Sequence, residues 1–228
     1  MEKQGLQVAI DGPASAGKST VAKIVAQRFN YIYCDTGAMY RAITWKTLQA
    51  GVDLNDETKI KDLLDHSTIR FEPGTPVQKV FVDQTDVTLA IRQPDVTNSV
   101  SAVSALPAIR QELTERQRQI ADAGGIVMDG RDIGSTVLPD AEVKIFLVAS
   151  VEERAQRRLK DNAAKGITTP LATLKYEIEE RDRKDSTRKV SPLTQAADAI
   201  RLDTTSLSIE QVADRISEII SEKELQQK

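Results

Sequence analysis

The chain has one cysteine and one histidine in 228 residues. A lone cysteine, Cys34, closes no internal disulfide, which fits a reducing cytoplasm. It follows Tyr31-Ile32-Tyr33 and reads as a small buried residue. A lone histidine leaves no histidine metal cluster. A Ser-His-Asp triad would need His66, which lies in a polar stretch without a supporting motif and reads as a solvated helix residue. No apolar run approaches the span of about 20 residues that a membrane helix needs. Met1-Glu2-Lys3-Gln4-Gly5 has no signal-peptide core. There is no excess of positive charge either: the formal net charge of -3 argues against non-specific nucleic-acid binding. No internal repeat and no low-complexity linker occurs. What is present, 40% hydrophobic and 29% charged residues, describes a soluble globular chain. Its length suits one α/β domain with an insert, or two small lobes.

Against that background one segment stands out. Gly12-Pro13-Ala14-Ser15-Ala16-Gly17-Lys18-Ser19, continuing into Thr20, fits the phosphate-loop pattern G-x-x-x-x-G-K-[ST]. Its context is the one the motif requires. Gln7-Val8-Ala9-Ile10 is a short apolar strand ending at Asp11, and Val21, Ile24, Val25 and Phe29 recur beyond it at helical spacing. The glycines let backbone N–H groups turn toward one point, and the helix N-terminus adds partial positive charge. Lys18 can reach the β- and γ-phosphates of a nucleotide, and the Ser19 hydroxyl can ligate Mg²⁺.

Leu6–Asp11, Tyr31–Cys34, Gly125–Asp129, Val143–Ala149 and Ala199–Leu202 read as strands, each followed by a helical pattern. Apolar runs alternating with amphipathic helices predict an α/β fold: a parallel five-stranded sheet flanked by helices, of the P-loop NTPase type. Ser208 caps the last helix with Gln211 as its partner, and Val212, Ile216 and Ile219 form its apolar stripe. Thr68–Ile91 breaks the rhythm. It reads as three short strands, Thr68–Glu72, Lys79–Asp83 and Asp86–Ile91, with turns at Pro73-Gly74 and Asp83-Gln84-Thr85-Asp86. This predicts a small antiparallel insert. Gln93–Ala123 returns to helix with a break near Leu106-Pro107. Val151–Lys189 is densely charged and reads as two helices joined by Ala163–Pro170, more like a mobile cover than core.

Phosphoryl transfer needs positioning and positive charge rather than covalent help. Ile126-Val127-Met128-Asp129 is an apolar strand closing on an acid, which is either a simple strand-end carboxylate or the metal-side acid of a P-loop enzyme. Gly130-Arg131-Asp132 adds a cation and an anion at the same sheet edge, where ligands of open α/β sheets bind. After the second strand comes Asp35-Thr36-Gly37-Ala38-Met39-Tyr40-Arg41. Asp35 or Thr36 is a helix cap, and Arg41 is either a surface arginine or a group facing the cleft. Arg181, Asp185 and Arg188 share one helix face, as do Arg154, Arg157 and Arg158. The first set reads alone as a solvated ion-pair ladder. Two arginine-rich helices in an acidic chain also suit a clamp over polyphosphate.

Gly12–Thr20, Asp35–Arg41, Val127-Met128-Asp129-Gly130-Arg131-Asp132-Ile133-Gly134 and Arg181–Arg188 together resemble the bacterial cytidylate kinases, P-loop nucleoside monophosphate kinases. The resemblance covers nearly the whole chain. It implies transfer of the γ-phosphate of ATP to CMP or dCMP, with Mg²⁺, by a monomeric cytoplasmic enzyme with no nucleic-acid or membrane partner. It divides the chain into a core (1–67, 124–150 and 190–228), an acceptor-binding insert (68–123) and a helical lid (151–189). It implies that Arg41, Arg131 and Arg188 clamp the acceptor's phosphate. Ser101, Arg110 and Asp132 would read the cytosine edge, Arg181 and Asp185 would contact the ribose, and Arg157 would fold from the lid onto the transferring phosphate. Lys18, Arg131, Arg157 and Arg188 would carry the chemistry, with Ser19 and Asp129 on the metal side. Thr36 stands where some members have serine and keeps the hydroxyl that Thr36 would offer the acceptor. Two other classes compete. A kinase acting on a small-molecule hydroxyl would need a base beside its acceptor. A GTP switch would usually carry an N-K-x-D motif, which does not occur.

Overall fold

The computed structural model describes residues 5–72, 74, 78–164 and 166–226. In chain order its strands are β1 (Gln7–Asp11), β2 (Ile32–Asp35), β3 (Ile69–Glu72), β4 (Lys79–Val82), β5 (Thr85–Asp86), β6 (Ile126–Gly130), β7 (Val143–Val148) and β8 (Ile200–Asp203). Its α-helices are α1 (Lys18–Phe29), α2 (Thr36–Gln49), α3 (Glu57–Asp65), α4 (Pro94–Val103), α5 (Pro107–Ala121), α6 (Val151–Ala163), α7 (Leu171–Thr187) and α8 (Ile209–Gln226). The chain divides into two compact units. One runs to Cys34 and resumes at Ile120; the other is Asp35–Gln119.

The first unit is built on a five-stranded sheet in the order β2-β6-β1-β7-β8. The pairs β1–β6, β1–β7 and β7–β8 are parallel. Strands covered on both faces are apolar throughout, and Val8, Ala9 and Ile10 at the centre are fully buried. Val21, Ala22 and Val25 of α1 meet Val212, Ala213 and Ile216 of α8 in one cluster with β1 and β7. The Ser208 hydroxyl accepts from the Gln211 amide and the Gln211 side chain accepts from the Ser208 amide, the reciprocal cap expected from the sequence. α6 and α7 close on a small apolar seam of Ala155, Leu174 and Ile178, with Leu159 and Leu171 against it. Lys165, within the predicted connecting loop, lies outside the described residues.

Two expectations for the strands need correction. No α-helix follows β6. The Asp132 carbonyl accepts from both the Thr136 and Val137 amides, winding Ile133–Val137 into one π-helical turn. Asp86–Ile91 is also not a strand. β5 is only Thr85–Asp86, because the Thr88 hydroxyl takes the Val80 amide and the Asp86 carboxylate takes the Thr88 amide. Side chains thus take over part of the ladder, and Ala90–Arg92 turns as a 3₁₀ helix.

The second unit packs Ala38 and Ala42 of α2 against Val80, Val82, Val87 and Ile91. β3, β4 and β5 form the antiparallel sheet of this unit. The Asp83-Gln84 turn closes it, while Pro73 of the other expected turn lies outside the described residues. α4 and α5 are separated at the predicted break. His66 caps the C-terminal end of α3 and is exposed; Cys34 is buried. Among the described residues no helix is long and apolar enough to cross a membrane.

Candidate active site

The chain leaves β1 at Asp11 and enters the phosphate loop at the point where the sheet order switches, with β6 on one side and β7 on the other. This is where open α/β sheets bind ligands. The loop passes so close to β7 that a Cβ on Gly12 would lie 2.1 Å from the Leu147 carbonyl oxygen, and Gly12 also has φ +148. Only glycine fits there. Ala14 and Ala16 are buried, Pro13, Ser15, Gly17 and Ser19 half-buried, and Thr20 is exposed. Lys18 is buried and its ammonium donates to the Pro13 carbonyl at 2.7 Å. Burial and the neighbouring Arg131 guanidinium hold its pKa well below the ordinary lysine value.

Asp129, the penultimate residue of β6, lies beside this loop. The Ser19 hydroxyl donates to Asp129 Oδ2 at 2.8 Å, and the Tyr33 hydroxyl donates to Oδ1 at 2.8 Å. A hydroxyl and a carboxylate are hard oxygen donors of the kind Mg²⁺ takes, and Mg²⁺ is usually held by one or two carboxylates plus phosphate oxygens. The pair fits that metal. Nothing in the sequence marks Tyr33 as more than part of a strand.

Two further acids were missed. The Asp11 carboxylate accepts from the Ile133 and Gly134 amides at 2.8 and 2.7 Å, tying the phosphate loop to the turn that carries Arg131 and Asp132. Burial outweighs these two amides and pushes its pKa up to about 6. Asp182 on α7 accepts from the Ala14 amide at 3.1 Å, and Arg154 of α6 donates to both Asp182 (2.6 Å) and the Ala14 carbonyl (2.9 Å). Both α6 and α7 are therefore anchored to the phosphate loop. Arg157, one turn further along α6, donates to the Thr204 carbonyl at 2.8 Å, to the Thr204 hydroxyl at 3.2 Å and to Glu153 at 3.1 Å. Its guanidinium lies 3.9 Å from the Cβ position of Gly17, beside the loop.

The segment after β6 and the end of α7 meet in a second cluster. Arg131 Nε donates to Asp185 Oδ2 at 2.9 Å, and Arg188 Nη2 donates to Asp132 Oδ1 at 3.3 Å. Arg188 is further held by the Ser191 carbonyl at 2.7 Å. Arg181 is half-buried and within electrostatic reach of both Asp185 and Lys18. Burial by itself would raise the Asp185 pKa, but Arg131, Arg181 and Arg188 together outweigh it and hold the value below the ordinary one. The i, i+4, i+7 face of α7 is thus no solvated ladder. Its two arginines and its acid turn inward with two arginine-acid pairs between the elements.

The remaining predicted residues belong to the other unit. Asp35, not Thr36, caps α2: its Oδ1 accepts from the Ala38 amide at 2.8 Å. Its Oδ2 accepts from Arg41 Nη2 at 2.9 Å, so Arg41 is a paired, mostly buried group. Thr36 is buried on the first turn. Arg110 is buried with its guanidinium 5.3 Å from the Tyr40 ring centre, and it donates to the Ser104 carbonyl at 3.0 Å. The Ser104 hydroxyl donates to the Ser101 carbonyl at 3.2 Å, which links half-buried Ser101 to Arg110 across the α4–α5 junction.

Known proteins are similar to this chain over nearly its whole length. A protein from Pediococcus pentosaceus described as cytidylate kinase is 66% identical over 214 residues, 94% of this chain and 95% of its own. One from Lactiplantibacillus plantarum with the same description is 65% identical over 98% of each chain. Among solved structures, a shikimate kinase from Bacteroides thetaiotaomicron superposes with a TM-score of 0.50 at 12% identity, covering 95% of this chain and 98% of its own, which shows the shared fold alone. The model of the family described as cytidylate kinase matches residues 8–222, so the chain belongs to the cytidylate kinase family.

Proposed function

We propose that the protein transfers the γ-phosphoryl group of ATP to the phosphate of CMP or dCMP, giving ADP and CDP or dCDP. It does so as a cytoplasmic monomer without nucleic-acid or membrane partners. The observation that supports this reading most is the pairing of Arg131 with Asp185 and of Arg188 with Asp132 beside the phosphate-loop lysine. Two guanidinium groups are held in fixed orientation by acids where charge must be neutralised.

Chemically, a base is unnecessary. The second pKa of a phosphate monoester is about 6, so the acceptor oxygen is already largely anionic at neutral pH. The obstacle is repulsion between two polyanions, which cations offset. In this reading Gly12–Thr20 cradle the ATP phosphates, with Lys18 on the β- and γ-phosphates. Ser19 and Asp129 would hold Mg²⁺, which when bound neutralises charge on the donor phosphates. Arg41, Arg131 and Arg188 orient the acceptor phosphate for in-line attack, and Arg157 reaches the transferring group from the lid. Arg181 and Asp185 take the ribose. The insert (68–123) and the Asp35–Arg41 segment bind the acceptor, the lid (151–189) excludes water, and the core carries the sheet. Ser101, Arg110 and Asp132 read the base. Cytosine offers an exocyclic amine as donor with O2 and N3 as acceptors, so an acid pairs with the amine. Uracil puts a carbonyl there. A buried carboxylate oxygen of Asp132 left facing that carbonyl then costs about 1–3 kcal/mol, tenfold discrimination or better.

The test is ADP formation from ATP with CMP, dCMP, UMP, AMP and shikimate offered singly. Turnover with CMP and dCMP well above the rest is the expected result. ADP formation with shikimate would favour a hydroxyl kinase, and ADP formation without any acceptor would favour a nucleotide switch.

A further inference from the structure

Asp35 faces two arginines, not one. Its Oδ1 is taken by the Ala38 amide. Its Oδ2 receives Arg41 Nη2 at 2.9 Å and has Arg92 Nη2 at 3.9 Å, beyond hydrogen-bond length. Arg92 ends the 3₁₀ turn Ala90–Arg92, and Ile91 beside it packs in the same core as Ala38 and Ala42, which fixes the turn against α2. Burial works to raise the Asp35 pKa, but Arg41 and Arg92 outweigh it, so the acid is ionised. One carboxylate then stands against two guanidinium groups, and one positive charge is left over. The donors are also in excess: Nε of Arg41 and Nε of Arg92 are both closed off from solvent without an acceptor. A desolvated N–H on a cation with nothing to donate to is costly, and structures seldom keep two side by side. The side chains themselves are 14% and 34% exposed, so an anion can reach the pair.

We propose that Arg92 is a second guanidinium ligand of the acceptor's phosphate, completing with Arg41 a forked site aligned by Asp35. Two planar forks match the oxygens of a phosphate monoester as a single ammonium does not. The assignment rests on the reading that Arg41 binds that phosphate. It adds a residue that lies outside Asp35–Arg41 and Val127–Gly134, two of the segments that carry the family resemblance.

Binding of CMP and of cytidine, which lacks the phosphate, separates this role from a structural one. Calorimetry on the full chain is expected to show that Arg92→Gln weakens CMP by about tenfold or more. Cytidine affinity and the KM for ATP should stay unchanged, and Arg92→Lys should recover part of the loss. Equal weakening of CMP and cytidine would overturn the proposal in favour of a structural role. Wild-type CMP affinity in Arg92→Gln with a loss in Arg41→Gln would make Arg92 a partner of Asp35 only. Wild-type affinity in both would instead sink the reading of Arg41. Should the glutamine variant fail to fold, Arg92→Lys carries the comparison: weaker CMP with cytidine unmoved supports the proposal, and equal CMP binding overturns it.

Discussion

Removing Asp185 tests whether the arginine cluster is held together by its acids. In Asp185→Ala the Arg131 guanidinium loses its 2.9 Å partner, and Arg181 and Arg188 lose the negative charge they share. Breaking a buried ion pair from one side typically costs about 3–5 kcal/mol. The Arg131 side chain is 18% exposed, so water partly rehydrates it and the loss comes down to about 2–3 kcal/mol. For a chain of this size each kcal/mol moves Tm by about 2–4 °C, which gives a fall of about 4–12 °C. The pH dependence follows from the sign of the shift. The folded Asp185 pKa lies below the ordinary 3.8, so its contribution is fully present above 3.8 and is lost as pH falls through the lower folded value. Thermal unfolding followed by circular dichroism should therefore show the same gap between wild type and variant at pH 7 and pH 5. The KM for CMP should rise along with it, and kcat should fall as Arg131 loses its orientation. A Tm within about 1 °C of wild type, or a gap that closes between pH 7 and pH 5, would refute the reasoning.

Further outcomes follow from the same structure. Lys18→Ala should abolish transfer while keeping the fold, since losing a buried cation whose pKa is depressed removes a desolvation cost; wild-type turnover with normal circular dichroism would refute the loop assignment. Asp132→Ala should lose the preference for CMP over UMP, read as the ratio of kcat/KM values, and an unchanged ratio would place base reading elsewhere. Asp11 should titrate in the folded protein with a midpoint about 6 by carboxyl NMR. Because that value is raised, its contribution to stability is full below 3.8 and lost as pH rises through about 6, a decline that Asp11→Asn should flatten.

The phosphate loop was legible because its requirement is local. A left-handed glycine, a close approach to a strand and a lysine at the helix start are set by eight consecutive residues. Asp129 was legible for the same reason, as an acid closing an apolar run next to that loop. Asp11 closes an equally apolar run and carried the same signal, but its partners, the Ile133 and Gly134 amides, lie over a hundred residues away. Asp182 and Tyr33 had no signal at all, since nothing local tells a helix acid or a strand tyrosine which backbone amide or carboxylate it will meet. The spacing of Arg181, Asp185 and Arg188 put them on one face but not on the inward one; that depends on where β6 delivers Arg131 and Asp132. The misread strand at Asp86–Ile91 has a local cause after all. Asp86 and Thr88 bond the backbone with their side chains, a competition that hydrophobic alternation does not register.

The account holds that guanidinium groups, not a proton acceptor, make the reaction possible. A crystal structure with CMP and a non-hydrolysable ATP analogue measures that directly. The expected result is the CMP phosphate within hydrogen-bond distance of Arg131 and Arg188, facing the γ-phosphate position above Lys18. A CMP phosphate lying in solvent, out of reach of both arginines, would contradict it.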